Sequence, residues 1–277
     1  MERVIKDIPV YYETYGSGTP IIMIHGWSPD HRLMKGCMEP LFTSMEKKWK
    51  RIYFDLPGMG RTPGKPWIDG SDRMLDFVLE FIDTIIPNQR FLVAGESYGG
   101  YLARGVANKR FDWVDGLLLI CPVANQETRL ANAPAHQVLE RDEAFMQTLS
   151  KEDRESYEFY GVVQNQRGWE RYRDEILPAL KMADYGFLEN SLGRNASYSF
   201  DVDQFPKPFM KPTLMLTGRQ DSAVGYSDLW KVIENYPRAS FAVLDKAGHN
   251  LQIDQERLFS EMVKEWLNRV SESQLPA

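Results

Sequence analysis

A serine in a glycine-rich turn is the residue of this chain best suited to covalent chemistry. Ser97 occupies the centre of the sequence GESYG (residues 95–99), directly after the apolar run 91–94. A G-x-S-x-G turn between a strand and a helix holds the serine on a strained backbone and exposes its hydroxyl. The free N–H groups of the following helix favour negative charge beside it. The pattern predicts a nucleophilic serine, and the competing interpretation is an ordinary tight turn.

A serine hydroxyl needs a base within hydrogen-bond reach and a third group that orients the base. His249 follows the apolar run 241–244, and Asp221 follows the run 213–217. Both therefore fall at the carboxyl ends of predicted strands, the edge where open α/β sheets place their sites. We predict that His249 is the base and Asp221 the orienting acid, although an aspartate in this position can also simply form a turn.

The other histidines and two further aspartates are weaker candidates. His25 directly follows a predicted strand, where we expect its ring to bond the loop backbone and not to act as a base. His31 and His136 lie in polar stretches, so we expect both to be solvated. Asp203 and Asp245 are the alternatives for the orienting acid.

The negative oxygen that forms during attack on a carbonyl needs hydrogen-bond donors, each worth about 3 to 4 kcal/mol. We predict two backbone N–H groups as these donors. One belongs to Tyr98, directly after the nucleophile, and the other to Trp27, in the loop after the predicted strand 21–24. The Trp27 side chain is also a candidate substrate-binding wall, although packing readily explains a tryptophan in such a loop.

Short apolar runs rich in Val and Ile alternate with longer amphipathic stretches along most of the chain. This alternation is typical of the α/β class, in which helices cover both faces of a mainly parallel sheet. One-sided apolar stripes predict helices over 74–85, after the capping candidates Ser71 and Asp72, and over 259–270. The predicted core strands are 21–24, 51–54, 91–94, 117–120, 213–217 and 241–244, preceded by an antiparallel pair at 4–8 and 10–15.

The alternation fails between residues 122 and 205, where polar, helix-favouring sequence replaces the strand signals. Prolines at 206, 208 and 212 close this segment. We predict a first core part (1–121), an inserted helical cap (122–205) and a second core part (206–277). The aromatic residues of the cap either line a cleft or pack its helices onto the core; they include Tyr157, Phe159, Tyr160, Trp169, Tyr172, Tyr185 and Phe187.

Composition and charge argue against nucleic-acid binding, a membrane span and secretion. The formal net charge of -6, with scattered Lys and Arg, argues against nucleic-acid binding. The longest apolar stretch, 116–124, is far shorter than the roughly 20 residues that span a bilayer, and the first seven residues lack a secretory pattern. Cys37 and Cys121 have no metal-site spacing and are interpreted as reduced thiols. We therefore expect a cytoplasmic protein without a membrane span, and the sequence leaves its oligomeric state open.

Taken together, five segments resemble the α/β-hydrolase superfamily with a helical cap: 21–27, 55–62, 95–100, 218–221 and 248–249. The order Ser97, Asp221, His249 is the chain order expected on that fold. The resemblance implies a serine hydrolase of the carboxylesterase type that works through an acyl-enzyme, with no cofactor and no metal. Its substrate is expected to be a small molecule with an apolar acyl or aromatic part. The loop at 55–62 is given no catalytic role.

Differences from the motifs of other superfamily members reduce the number of activities that fit this sequence. Its epoxide hydrolases and haloalkane dehalogenases carry an aspartate where this chain has Ser97, and its proline iminopeptidases typically show H-G-G-P-G where this chain has HGWSP (25–29). Hydrolysis of a carbon–carbon bond in a diketone-type substrate remains the main alternative. A cofactor-free haloperoxidase, a peptidase and a ligand receptor without turnover are less favoured.

Overall fold

A mixed sheet of eight strands forms the centre of the molecule in the computed structural model, which describes residues 1–43, 45 and 48–274. The strand order is β1-β2-β4-β3-β5-β6-β9-β10. The pairs β1–β2 and β2–β4 are antiparallel, and every later pair is parallel. The strands are β1 (Glu2–Ile5), β2 (Ile8–Tyr15), β3 (Thr19–Ile24), β4 (Trp49–Phe54), β5 (Phe91–Glu96), β6 (Val114–Ile120), β9 (Thr213–Gly218) and β10 (Ala239–Leu244), with β7 (Glu140–Arg141) and β8 (Val163–Gln164) in a separate small sheet.

The sequence explains which strands are fully buried. Every residue of β5, β6 and β9 is buried, as expected for continuous apolar runs covered on both faces. β10 lies at the edge of the sheet, and its residues are only partly buried or exposed. The predicted α/β class and the antiparallel start of the sheet are confirmed.

Four helices of 12 to 18 residues cover the sheet. They are α1 (His31–Phe42), α2 (Ser71–Ile85), α3 (Tyr98–Lys109) and α12 (Glu256–Ser273). The predicted apolar stripes of α2 and α12 face the core, except that Ile85 and Met262 are only partly buried. Among the helices of the described chain, none has the length and apolar character needed to cross a membrane.

The prediction that Ser71 and Asp72 cap the N-terminus of α2 is wrong. The helix begins at Ser71 itself, and the residue before it, Gly70, has no side chain with which to cap. The Ser71 hydroxyl instead donates to the Ala196 carbonyl at 2.5 Å, and Asp72 accepts the Ser199 backbone N–H at 3.2 Å. Both side chains therefore bind the start of α2 to the segment between β6 and β9.

That segment carries short helices, as the polar sequence predicts, but it also contains the parallel pair of two-residue strands β7 and β8. The remaining helices are α4 (Arg129–Asn132), α5 (Glu143–Met146), α6 (Lys151–Glu158), α7 (Gln166–Glu175), α8 (Leu177–Leu180), α9 (Tyr185–Asn190), α10 (Ser227–Trp230) and α11 (Leu251–Asp254), with 3-10 turns at Leu192–Asn195 and Ile233–Asn235. Tyr157, Trp169 and Tyr172 form an aromatic cluster between α6 and α7, with ring centroids 5.5 to 6.0 Å apart. Packing therefore accounts for part of the aromatic content of this segment.

A buried ion pair joins α3 to the end of this segment. The Arg104 side chain is 1% exposed and donates through Nε to Asp203 at 3.0 Å, with a second, shorter contact through Nη2. Its Nη1 donates to the carbonyls of Val123 and Ala124, and Asp203 also accepts the Tyr236 hydroxyl at 2.6 Å. Because each charge has several partners, the pair is compatible with its burial.

Replacing Asp203 by Ala is expected to lower the free energy of unfolding by about 3 to 5 kcal/mol, because the Arg104 charge then stays buried without a counter-ion. Denaturant titration measures this loss. Asp83→Ala, which removes the exposed partner of Arg110, is the control and should cost at most about 1 kcal/mol. Equal losses in the two variants would contradict the assignment.

Candidate active site

Ser97 lies in a sharp turn between β5 and α3, as the G-x-S-x-G pattern predicts. Its backbone has φ 52° and ψ -119°, a conformation that non-glycine residues rarely adopt. A Cβ atom at Gly95 would lie 2.1 Å from the Gly99 carbonyl oxygen, and one at Gly99 would lie 2.2 Å from the Ile24 carbonyl oxygen. The two glycines thus allow the turn to close against β3.

The structure brings the three predicted residues together. His249 Nε2 lies 2.9 Å from Ser97 Oγ, and His249 Nδ1 lies 3.0 Å from Asp221 Oδ2. The other carboxylate oxygen of Asp221 accepts the backbone N–H groups of Ala223 and Val224 at 2.9 and 3.1 Å. A fully buried carboxylate is thereby held in place with one oxygen left for the imidazole. The arrangement can abstract a proton from the serine hydroxyl.

The surrounding charges favour a protonated imidazole. Burial acts to lower the pKa of His249, but the charge and hydrogen bond of Asp221, with a smaller contribution from Glu96, raise it to about 9. An imidazolium formed during proton transfer is therefore stabilised by its neighbours.

Glu96 is a site residue that sequence reasoning missed. Its side chain is 2% exposed, and Oε1 lies 3.5 Å from His249 Nε2, the nitrogen that faces Ser97. Burial raises the pKa of Glu96 to about 7. A Cβ at Gly26 would lie 2.3 Å from Glu96 Oε2, so the glycine leaves room for this carboxyl group. The available signal was an acidic residue at the end of an otherwise apolar strand, directly before the nucleophile.

The two residues whose N–H groups are predicted to bind the oxyanion, Trp27 and Tyr98, belong to segments next to the nucleophile. Tyr98 is the first residue of α3, where backbone N–H groups lack partners within the helix. A Cβ built at Gly26, next to Trp27, would lie 3.0 Å from Ser97 Cβ, so this loop adjoins the serine. The rings of Trp27 and Tyr98 pack edge to face with centroids 5.3 Å apart. The two residues therefore come close to the serine from two different segments, α3 and the loop after β3.

His25 bonds the loop backbone, which confirms its expected structural role. The Leu56 N–H donates to His25 Nε2 at 2.9 Å, and His25 Nδ1 lies 2.8 Å from the Gly26 carbonyl oxygen. Burial lowers the pKa of His25, so the ring is held neutral. The residue ties the loop after β3, which contains Trp27, to the loop after β4.

The prediction that His31 is solvated is wrong, whereas His136 is exposed. His31 is 6% exposed, with Nδ1 2.6 Å from Asp55 and Nε2 3.4 Å from Glu13. Asp55 also accepts the backbone N–H of Arg61 at 2.8 Å. The loop at 55–62 therefore organises the turn around His31, in keeping with its lack of a predicted catalytic role.

The two alternative acids make other contacts. Asp203 binds Arg104, as described above, and Asp245 accepts the Gln220 amide at 3.0 Å. Two groups of potential metal ligands occur among the described residues, Asp30–His31–Asp55 and Cys121–Asp221–His249. In each group the histidine Nδ1 is already hydrogen-bonded to a carboxylate, so these atoms are used in protein contacts.

A cavity of about 390 Å³ opens over Ser97, Glu96 and His249. Two of the seven predicted aromatic residues of the cap, Tyr160 and Tyr172, line it, and the Tyr160 ring centroid lies 5.6 Å from that of His249. Phe159 and Tyr185 are instead largely exposed. The other lining residues are mainly apolar and include Trp27, Pro29, Leu33, Val123, Ile176, Leu180, Ala223 and Val224.

Comparison with solved structures confirms the fold. A crystal structure of an alpha/beta superfamily hydrolase from Oenococcus oeni PSU-1 matches with a TM-score of 0.87 and 31% identity, covering 98% of this chain and 99% of that one. An esterase from Thermogutta terrifontis, solved with malate bound, matches with a TM-score of 0.66 and 22% identity over 95% of this chain and 94% of its own.

The names of relatives agree with the predicted ester hydrolysis. A pimeloyl-[acyl-carrier protein] methyl ester esterase from Aeromonas salmonicida is 28% identical over 92% of this chain and 98% of its own length. Such relatives confirm the prediction of a carboxylesterase-type hydrolase. The model of the alpha/beta hydrolase family matches residues 21–261, more than four-fifths of the sequence. With the fold and this match in agreement, the chain belongs to the alpha/beta hydrolase family.

Proposed function

We propose that this protein hydrolyses a carboxylic ester through an acyl-enzyme formed on Ser97. The observation that carries the proposal is the hydrogen-bonded chain from Ser97 Oγ through His249 to Asp221. Such a chain supplies a nucleophile, a base and an orienting acid in one arrangement.

In the first half-reaction, His249 Nε2 takes the Ser97 proton while Oγ forms a bond to the ester carbonyl carbon. The carbonyl π electrons move to the oxygen, where the backbone N–H groups of Trp27 and Tyr98 donate to the negative charge. When this intermediate collapses, the bond to the leaving alkoxide breaks and His249 returns the proton to it. An alcohol leaves, and the acyl group stays on Ser97.

In the second half-reaction, His249 removes a proton from water, and the resulting hydroxide attacks the acyl-enzyme carbonyl. Collapse breaks the bond to Ser97 Oγ, which regains its proton from His249, and the acid is released. Asp221 acts throughout on Nδ1, where it fixes the tautomer and stabilises the imidazolium. The helix that begins at Tyr98 adds favourable electrostatics for the oxyanion.

We further propose a small-molecule substrate with an apolar acyl or aromatic part. The apolar side chains around the cavity support this choice, with Trp27 and Tyr160 as candidate contacts. The names of the pimeloyl-[acyl-carrier protein] methyl ester esterases support an ester as the bond that is cleaved. The free, buried thiols of Cys37 and Cys121 are compatible with the proposed cytoplasmic location.

Ser97→Ala is expected to reduce kcat for p-nitrophenyl butyrate by about a millionfold, because removal of the nucleophile disables the triad as a unit. Release of p-nitrophenolate measures this loss. Ser199→Ala, at an exposed serine, is the control and should retain full activity. Turnover by Ser97→Ala similar to that of the wild type would reject the proposal, and cleavage of a vinylogous diketone without ester hydrolysis would favour a carbon–carbon bond hydrolase.

The pH dependence of kcat/KM should follow deprotonation of His249, whose pKa is raised to about 9. Only the neutral imidazole accepts the serine proton, so activity is expected to rise with pH up to this value. Glu96→Gln removes a negative charge that favours the imidazolium, and the rise should therefore move to lower pH by about one pH unit.

The control is Glu189→Gln, which makes the same change of charge at an exposed residue of α9 and should leave the profile in place. An unchanged profile for Glu96→Gln, or a shift to higher pH, would contradict the electrostatic role of Glu96.

A further inference from the structure

A guanidinium group that has no acidic partner among the described residues lines the reaction cavity. Arg129 is partly buried in α4 and borders the cavity that holds Ser97 and His249. Its Nη1 donates to the Ala223 carbonyl at 3.1 Å, a contact with a neutral acceptor. In the part of the chain that the structure describes, no Asp or Glu oxygen lies within 4.0 Å of its nitrogens. A guanidinium has five N–H donors, so most of its capacity is available to a ligand.

Neighbouring contacts fix the position of Arg129. The Thr128 hydroxyl donates to Asp228 Oδ2 at 2.8 Å, and the Asn132 amide donates to Asp228 Oδ1 at the same distance. Asp228 belongs to α10 and is itself buried. The short helix α4 is therefore held at both ends, and Arg129, between these contacts, is presented to the cavity by a supported backbone.

The positive charge of Arg129 affects the pKa values of groups near the reacting serine. It opposes the rise in the pKa of His249, and it also opposes the rise in the pKa of Tyr160 that burial causes. Its contact with Ala223 adjoins the turn in which the Ala223 N–H donates to Asp221. A ligand held by Arg129 would therefore lie beside the triad.

We infer that Arg129 binds a carboxylate carried by the ester substrate, an inference that rests on the proposed ester hydrolysis. A guanidinium pairs with a carboxylate through two parallel N–H···O bonds, a geometry that a neutral acyl chain cannot satisfy. The acidic side chains Glu96 and Asp221 share this region, so a singly charged anion fits better than a dianionic phosphate. The substrate class is the half-ester of a dicarboxylic acid, or an ester whose alcohol part bears a carboxylate.

Two pairs of esters test this inference and locate the anion. Monomethyl adipate and methyl hexanoate differ only by a carboxylate or a methyl group at the end of the acyl chain. The second pair, 4-butyryloxybenzoate and 4-methylphenyl butyrate, makes the same exchange in the alcohol part. In one of the two ester pairs, Arg129→Gln should lower the ratio of kcat/KM for the charged ester to kcat/KM for the neutral ester by about 10- to 100-fold. This is the effect expected when a hydrogen bond between two charged groups is lost.

Arg129→Lys keeps the charge but not the paired donors, so it should retain only part of the ratio. Arg167→Gln removes an exposed arginine that binds Glu256 and should leave the ratio unchanged. Unchanged ratios for both pairs in Arg129→Gln would overturn the inference, and so would an equal loss for both esters of each pair in a variant of normal thermal stability.

Binding to Ser97→Ala protein separates this inference from the proposed function. Isothermal titration should show that monomethyl adipate or 4-butyryloxybenzoate binds at least about tenfold more weakly when Arg129→Gln is added. That result without hydrolysis of any ester by the wild type would support the carboxylate site and reject the esterase proposal. Ester hydrolysis by the wild type without such weakening would reject the carboxylate site alone.

Discussion

The close approach of three backbone segments around Ser97 is the constraint on which the site depends. β5 ends, the chain reverses through a positive φ at Ser97, and α3 begins directly afterwards. The carbonyl oxygens of Gly99 and Ile24 occupy the space where side chains at Gly95 and Gly99 would lie. Larger residues at these positions would move α3 away from β3. The serine and the loop at Trp27 would then separate, so the turn determines the positions of both the serine and the proposed oxyanion donors.

Charged side chains around His249 set the electrostatics of the site that this turn positions. Asp221 binds one nitrogen of His249, while Glu96 lies near the other and Arg129 borders the same cavity. Two acidic groups favour the imidazolium, and one cation opposes it. In a cavity lined mainly by apolar side chains, these few charges act with little screening. The same set of groups therefore influences both the reactivity of His249 and the kind of substrate that we propose.

The sequence predicted those parts of the fold and site that local patterns encode. Apolar runs located the core strands, and the ends of β9 and β10 located Asp221 and His249. Glu96 was missed because its importance depends on a histidine that approaches from 153 positions later in the chain. His31 was misjudged because its acidic neighbours, Glu13 and Asp55, come from distant segments. β7 and β8 have two residues each, too few for an alternating pattern to appear.

The central claim is that His249 activates Ser97, and covalent labelling with a fluorophosphonate tests it most directly. We expect one equivalent of phosphonate on the tryptic peptide that contains Ser97, as determined by mass spectrometry, with labelling at least about a thousandfold slower in His249→Ala protein. Rapid labelling of Ser97 that does not depend on His249, or labelling of a different residue in active protein, would contradict the account.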